Sequence, residues 1–238
     1  ILAALRAHYA AVAALRQDHA ASANRYASAA ATPGLCAALQ WRYQYERATV
    51  LAERGRDYGD NAALSQAVEL YAQTVLPLAP RDERPDDWAT SQHGLGSALG
   101  SLGQRQRGVH RLEGAITAFT QALQIRSRAR APREWAATQH ALGTVLGVLA
   151  QRRGDVPMLE RAVTALDYAL QVRVREQTPR DWAATQYQLA TALLSLGQLQ
   201  RDTALLARSI EIFRQVVQAG IRAQTRLDWA ALQNSLGT

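Results

Sequence analysis

Lysine is absent from this 238-residue chain, and all 27 of its basic residues are arginine. It has one cysteine, one methionine and two phenylalanines. A lone Cys36 excludes an internal disulfide framework, and with no second Cys or His at ligand spacing it reads as a small buried apolar group. Long apolar runs are missing too. The opening Ile1-Leu2-Ala3-Ala4-Leu5 is broken at once by Arg6 and His8, and nothing approaches the ~18 uninterrupted apolar residues of a membrane span. With no span and no disulfide framework, the expected location is cytoplasmic. What fills the chain instead is Ala, Leu, Gln and Arg, which lose little side-chain freedom in a helix, so the composition predicts an all-α protein.

Against 20 acids the arginines leave a net charge of +7. That balance admits an acidic partner or nucleic acid, and the placement of the arginines has to decide between them.

The chain repeats itself. Its five tryptophans stand at 41, 88, 135, 182 and 229, each 47 residues after the last. Trp135-Ala-Ala-Thr-Gln139 recurs as Trp182-Ala-Ala-Thr-Gln186, with near copies from Trp88 and Trp229. Leucines follow Trp88, Trp135 and Trp182 at 7, 11 and 14 residues, as in Leu142, Leu146 and Leu149, and Leu236 follows Trp229 at 7. These offsets share one face of a 3.6-residue helix, here called helix A. A second block at spacings of three and four follows a short polar break, for example Leu112, Ala115, Ile116, Phe119, Ala122 and Leu123, and forms helix B. Each helix is expected to run about 18 to 20 residues. Asp60, Asp155 and Asp202 stand where B helices begin and are expected to cap them, and Thr178 to cap a helix A ahead of Pro179. In the first unit the B block starts one residue early relative to Trp41, and an extra residue further on restores the period.

The expected organisation is an N-terminal helix over residues 1–31, repeats at 32–84, 85–131, 132–178 and 179–225, and the start of a fifth at 226–238. The chain begins without Met and stops partway into that helix A, which reads as part of a longer protein.

These residues resemble the tetratricopeptide repeat, whose pattern is matched by Gln92, Leu95, Gly96 and Leu99, then Ala115, Phe119, Ala122 and Pro132, and again by Gln139, Leu142, Gly143, Leu146, Ala162, Leu166, Ala169 and Pro179. The period is 47 instead of about 34, Leu replaces a Tyr, and the Trp lies one turn upstream of its usual place, so the likeness is to a long-helix variant of bacterial type. The resemblance implies an all-α, right-handed superhelical stack of antiparallel helix pairs, an α-solenoid that binds protein or peptide without catalysis and is often attached to signalling, protease-like or nucleotide-switch domains. It also implies that A helices line a concave surface. The groove candidates there are His93, Ser97, His140, Thr144, Tyr187, Thr191 and Asn234. Relatives that clamp a terminal carboxylate use Lys and Asn at such places, and the lack of Lys argues against that clamp.

No chemistry competes with that assignment. Gly94-Leu-Gly96-Ser-Ala-Leu-Gly100 misses the dinucleotide fingerprint by one residue and lies inside a helix; Gly96, Gly100, Gly143 and Gly147 are expected instead to admit close helix packing. No catalytic triad, carboxylate pair or metal spacing is present, so no catalytic residue, metal or cofactor is expected. The tryptophans share the leucine face, which predicts that Trp135 and Trp182 are largely buried and that truncating Trp182 opens a cavity. Gln92, Gln139, Gln186 and Gln233 are expected to form inter-repeat hydrogen bonds. Arg126, Arg128, Arg173 and Arg175 cluster at helix ends. They either complement the helix dipole or form a basic edge for an acidic partner, with RNA the weaker alternative because interleaved aromatics are scarce. A regulatory arm of a larger signalling or protease protein and self-association are the remaining alternatives.

Overall fold

The structure is a computed structural model that describes residues 2–15 and 18–219. It divides into two compact units, 1–125 and 126–238. In the first, α1 (Leu2–Leu15), α2 (His19–Ala30), α3 (Ala37–Tyr58), α4 (Asn61–Leu70), α5 (Pro85–Arg105) and α6 (His110–Ile125) pack each on the next. In the second, α7 (Pro132–Arg153), α8 (Val156–Leu170), α9 (Pro179–Gln200) and α10 (Thr203–Gln218) do the same, and α7 also touches α9. No strand occurs among the described residues, and no helix there is long and apolar enough to cross a membrane.

Helices A are α3, α5, α7 and α9, of 21 or 22 residues, and their B partners α6, α8 and α10 have 15 or 16. The two are therefore unequal, where equal lengths were expected. Proline occupies the first turn of α5, α7 and α9, where its missing N–H costs nothing. Asp60, Asp155 and Asp202 accept from backbone amides at the starts of α4, α8 and α10, at 3.0 Å for Ala63, 2.9 Å for Met158 and 2.8 Å for Ala204. Thr178 departs from expectation. Its hydroxyl donates back to the Val174 carbonyl at 3.2 Å and makes no cap.

Each hairpin closes on one small residue near the end of helix A. A Cβ at Gly103 would lie 2.8 Å from Leu112, and one at Gly197 2.9 Å from Leu206, in each case a leucine in the first turn of helix B. Gly55 meets Leu64 in the same way. The third hairpin has Ala150 there, itself fully buried against Leu159. Higher up, Gly96 admits Phe119 and Gly143 admits Leu166. Gly147 does not serve this purpose, because a Cβ there would meet nothing within 4 Å.

The tryptophans are a correction. Trp41, Trp88, Trp135 and Trp182 are half-buried, and the residues sealed from water in that turn are Ala89, Ala136 and Ala183, with Ser91, Thr138 and Thr185. The indoles stand beside the seam and carry neighbours on their open sides: Arg84 lies over Trp41 at 5.0 Å, Arg81 over Trp88 at 5.1 Å and Arg175 over Trp182 at 5.7 Å, while Trp135 tilts against Tyr168. Trp229 lies outside the described residues. Cys36, expected inside, is exposed at the start of α3.

The N-terminal segment holds two helices where one was expected. Asp18 accepts from the Ala21 amide at 3.0 Å and starts α2, and Ser22 donates to the Ala10 carbonyl at 2.9 Å across the buried α1–α2 contact. Ser209 on α10 makes the same kind of bond to the Ala190 carbonyl of α9 at 2.8 Å, so residues 2–30 pair as a hairpin in the same manner.

The irregular first repeat has a local cause. Between the two buried anchors of helix B the spacing is three residues from Phe119 to Ala122, Leu166 to Ala169 and Phe213 to Val216, but four from Tyr71 to Val75. The chain absorbs that extra residue as a π-helical turn over Tyr71–Val75, marked by the Leu76 amide donating to the Tyr71 carbonyl at 3.0 Å. Both anchors thereby stay buried, and the Tyr71 hydroxyl, at 2.9 Å from that of Thr49, is held far above its ordinary pKa chiefly by burial. Deleting Gln73 should convert this turn to α-helix and leave stability within about 1 kcal/mol of the parent. Deleting Thr120 from α6 should rotate Ala122 away from its site and cost more than about 3 kcal/mol. Urea unfolding followed by circular dichroism compares the two, and equal losses would refute the assignment of the extra residue.

Candidate protein-interaction site

Three residues beyond Trp88, Trp135 and Trp182 sits a hydroxyl with 0% exposure: Ser91, Thr138 and Thr185. Each donates its proton to the carbonyl one turn back, Asp87, Glu134 and Asp181, at 2.7 Å. Each oxygen then accepts from a long side chain, which ties a neighbouring element to the first turn of helix A. Trp41 Nε1 reaches Ser91 at 2.9 Å, Arg126 Nη1 reaches Thr138 at 2.9 Å and Arg173 Nη1 reaches Thr185 at 3.0 Å. Thr185 has a third partner, His140 Nδ1 at 3.1 Å. Because the Thr185 proton is committed to the Asp181 carbonyl, the imidazole must be the donor, which places a proton on Nδ1.

This node sets where the groove candidates lie. His93 and Ser97 belong to α5 of the first unit, with the His93 ring tilted against Phe119 at 5.5 Å. His140 and Thr144 on α7 and Tyr187 and Thr191 on α9 belong to the second unit, where the His140–Thr185 bond and a 2.7 Å bond from Gln151 to Ser195 hold the two A helices side by side. Tyr187 tilts against Phe213 at 5.7 Å. All six are half-buried. The Thr144 and Thr191 hydroxyls donate to the carbonyls one turn back at 2.9 Å, which leaves their methyl groups and oxygen lone pairs as the available surface. Asn234 lies outside the described residues.

The glutamines do not behave as a ladder. Gln92 and Gln186 each bury an Oε1 that has no hydrogen-bond partner. Gln233 lies outside the described residues.

The arginine cluster separates into two kinds. Arg126 is 8% exposed and turned inward onto Thr138. Arg173 is half-buried on Thr185, and burial lowers its pKa while Asp181 opposes that shift. Arg128 and Arg175 remain exposed, the first donating to Gln171 at 2.7 Å and the second lying over Trp182. Among the described residues no group of His, Cys, Asp and Glu could hold a metal ion. The sequence held a signal for the node that charge counting overlooks: Arg126 and Arg173 are 47 residues apart, and each precedes its threonine by 12.

Replacing Thr185 by Val should cost about 1 to 3 kcal/mol, since it strips two half-buried side chains of their buried hydrogen-bond partner, and Thr185→Ser should restore most of it. Thr144→Val, which removes only a back-bonded hydroxyl on a half-open face, should cost under about 0.5 kcal/mol. Chemical denaturation of the three variants checks the ranking.

The tetratricopeptide repeat family model matches residues 182–220, the span of α9 and α10. No curated protein matches the chain. Among solved structures, the crystal structure of BtubC (BKLC) from P. vanneervenii is similar over 91% of this chain and 81% of that one, with a TM-score of 0.55 and 20% identity, a likeness of fold. The described residues are thus a run of repeated antiparallel helix pairs, and the pair α9–α10 matches the tetratricopeptide repeat.

Proposed function

We propose that the chain is a non-catalytic interaction scaffold, and that a segment of a partner protein lies along the A-helix row of the second unit. The observation that carries this is Gly147. It sits on α7 one turn beyond Thr144, and although this residue is itself buried, a Cβ added to it would meet nothing within 4 Å. Together with Thr144, Thr191 and Tyr187 it supplies a surface of small groups, hydroxyl acceptors and one phenol, suited to an extended backbone and compact apolar side chains. His93 and Ser97 would offer the equivalent surface on α5. The family match supports protein or peptide binding in general, and a cytoplasmic location fits a chain whose described helices include no membrane span.

An acidic partner or RNA held along an arginine edge is supported less, because Arg126 is inside and Arg175 is engaged with Trp182. A place as the regulatory arm of a larger protein is compatible with the same surface.

The test is selection of binding peptides from a displayed library, followed by titration against two double variants. Thr144→Arg with Thr191→Arg should weaken binding at least about tenfold, the equivalent of 1.4 kcal/mol, while Arg128→Ala with Arg175→Ala should leave it within about threefold. The reverse pattern would move the site to the arginine edge.

A further inference from the structure

A cleft of about 510 Å³ opens where the first turns of α7 and α9 meet the segment following α8. That volume lies within the ~300–1,000 Å³ range of sites that enclose small groups. Ala136, Ala137 and Val172 give it apolar walls, and Arg173, Glu134 and Asp181 also line it. Arg173 is the unusual member. Its guanidinium is half-buried, Nη1 is fixed by the neutral Thr185 hydroxyl at 3.0 Å, and among the described residues it makes no ion pair. Its repeat counterpart, Arg126, holds Thr138 in the same way but is 8% exposed. Asp181 favours its charge without forming an ion pair, so an oriented, partly desolvated cation lines the cleft with no carboxylate bonded to it, and guanidinium pairs with carboxylate through two parallel N–H donors.

The surroundings reinforce that preference. The segments 126–134 and 171–182 carry seven arginines against three acids, a local excess that draws acidic chains toward the cleft. The lining also selects among anions. It includes no aromatic ring on which a base could stack, and Glu134 and Asp181 would repel a continuous phosphate backbone. A single carboxylate flanked by apolar side chains meets Arg173 and the alanine walls together.

We propose that this cleft binds an acidic, apolar-flanked peptide segment of a partner protein, with a Glu or Asp side chain of that segment paired to Arg173. The site is separate from the Thr144–Thr191 surface and rests on the scaffold assignment only in taking a protein as partner.

The test uses fluorescence anisotropy at about 150 mM salt, where long-range attraction is screened. The probes are a labelled peptide alternating leucine and glutamate, its glutamine counterpart, and a single-stranded RNA of equal charge. The glutamate peptide should bind at least about tenfold more tightly than the other two. Arg173→Gln should reduce that affinity about tenfold. Because this change also removes the bond to Thr185, Ala137→Asp serves as a second variant that leaves the bond intact and places a like charge in the cleft, and it should produce a similar loss with an unchanged melting curve. Arg128→Gln with Arg175→Gln should change affinity less than about threefold. Failure of the glutamate peptide to bind, equal binding of the glutamine peptide, tighter binding of RNA, or indifference to both Arg173→Gln and Ala137→Asp would overturn the proposal. Loss of glutamate-peptide binding in Thr144→Arg with Thr191→Arg, but not in the cleft variants, would place the peptide on the A-helix surface and overturn the cleft alone.

Discussion

The structure depends on how closely helix A can approach the start of helix B. At that point the chain has Gly55, Gly103, Ala150 and Gly197, and opposite them Leu64, Leu112, Leu159 and Leu206. Leu64, Leu112 and Leu159 have 0% exposure, and sealing each stabilises the fold by about 2 kcal/mol relative to leaving it in water. Glycine inside a helix costs up to about 1 kcal/mol relative to alanine, which the leucine burial more than offsets. Once this contact fixes the two helices at one end, the remaining anchors, Phe119, Leu166 and Phe213 among them, fall into register at intervals of whole turns. The π-helical turn at Tyr71–Val75 follows from the same constraint, since an extra residue in helix B must be looped out locally if the anchors on both sides are to stay in place.

A second constraint operates at the opposite end of helix A. The hydroxyls of Ser91, Thr138 and Thr185 are buried in the first turn, where they would be costly without partners. Trp41, Arg126 and Arg173 satisfy them; the two arginines thereby fasten the chain leading into helix A, and Trp41 ties α5 to the preceding helix A. This accounts for arginines at helix ends that are neither solvated decoration nor a uniform basic edge. It also gives the candidate surfaces their stiffness, because His140 and Arg173 are oriented by the same oxygen.

The architecture was legible because its chemistry repeats. A 47-residue Trp spacing, leucines on one helical face and aspartates at the starts of B helices each have one physical interpretation, and the Asp60, Asp155 and Asp202 caps are where the spacing placed them. Depth was less legible than phase. Periodicity put Trp182 on the same side as Leu189 but could not tell that the indole stops beside the seam under Arg175 while Ala183 enters it. The break between α1 and α2 escaped notice because it has neither Pro nor Gly and turns on Asp18 alone. Of the candidate surface, the neighbouring placement of His140, Thr144, Tyr187 and Thr191 on adjacent A helices could be anticipated from spacing. The buried threonine with its arginine left only the twelve-residue interval from Arg126 to Thr138 and from Arg173 to Thr185 as a trace, since charge patterns carry no information about which guanidinium turns inward.

The seam is tested most directly by the denaturant midpoints of two glycine variants, one on an A helix of each unit. Gly103→Leu forces a side chain into the space held by Leu112 and should lower stability by about 2 kcal/mol or more. Gly147→Ala, where a Cβ meets nothing within 4 Å, should raise it by up to about 1 kcal/mol through helix propensity alone. If both variants unfold at the parent's urea midpoint, or if Gly147→Ala is the more damaging of the two, the hairpins are not closed in the way described.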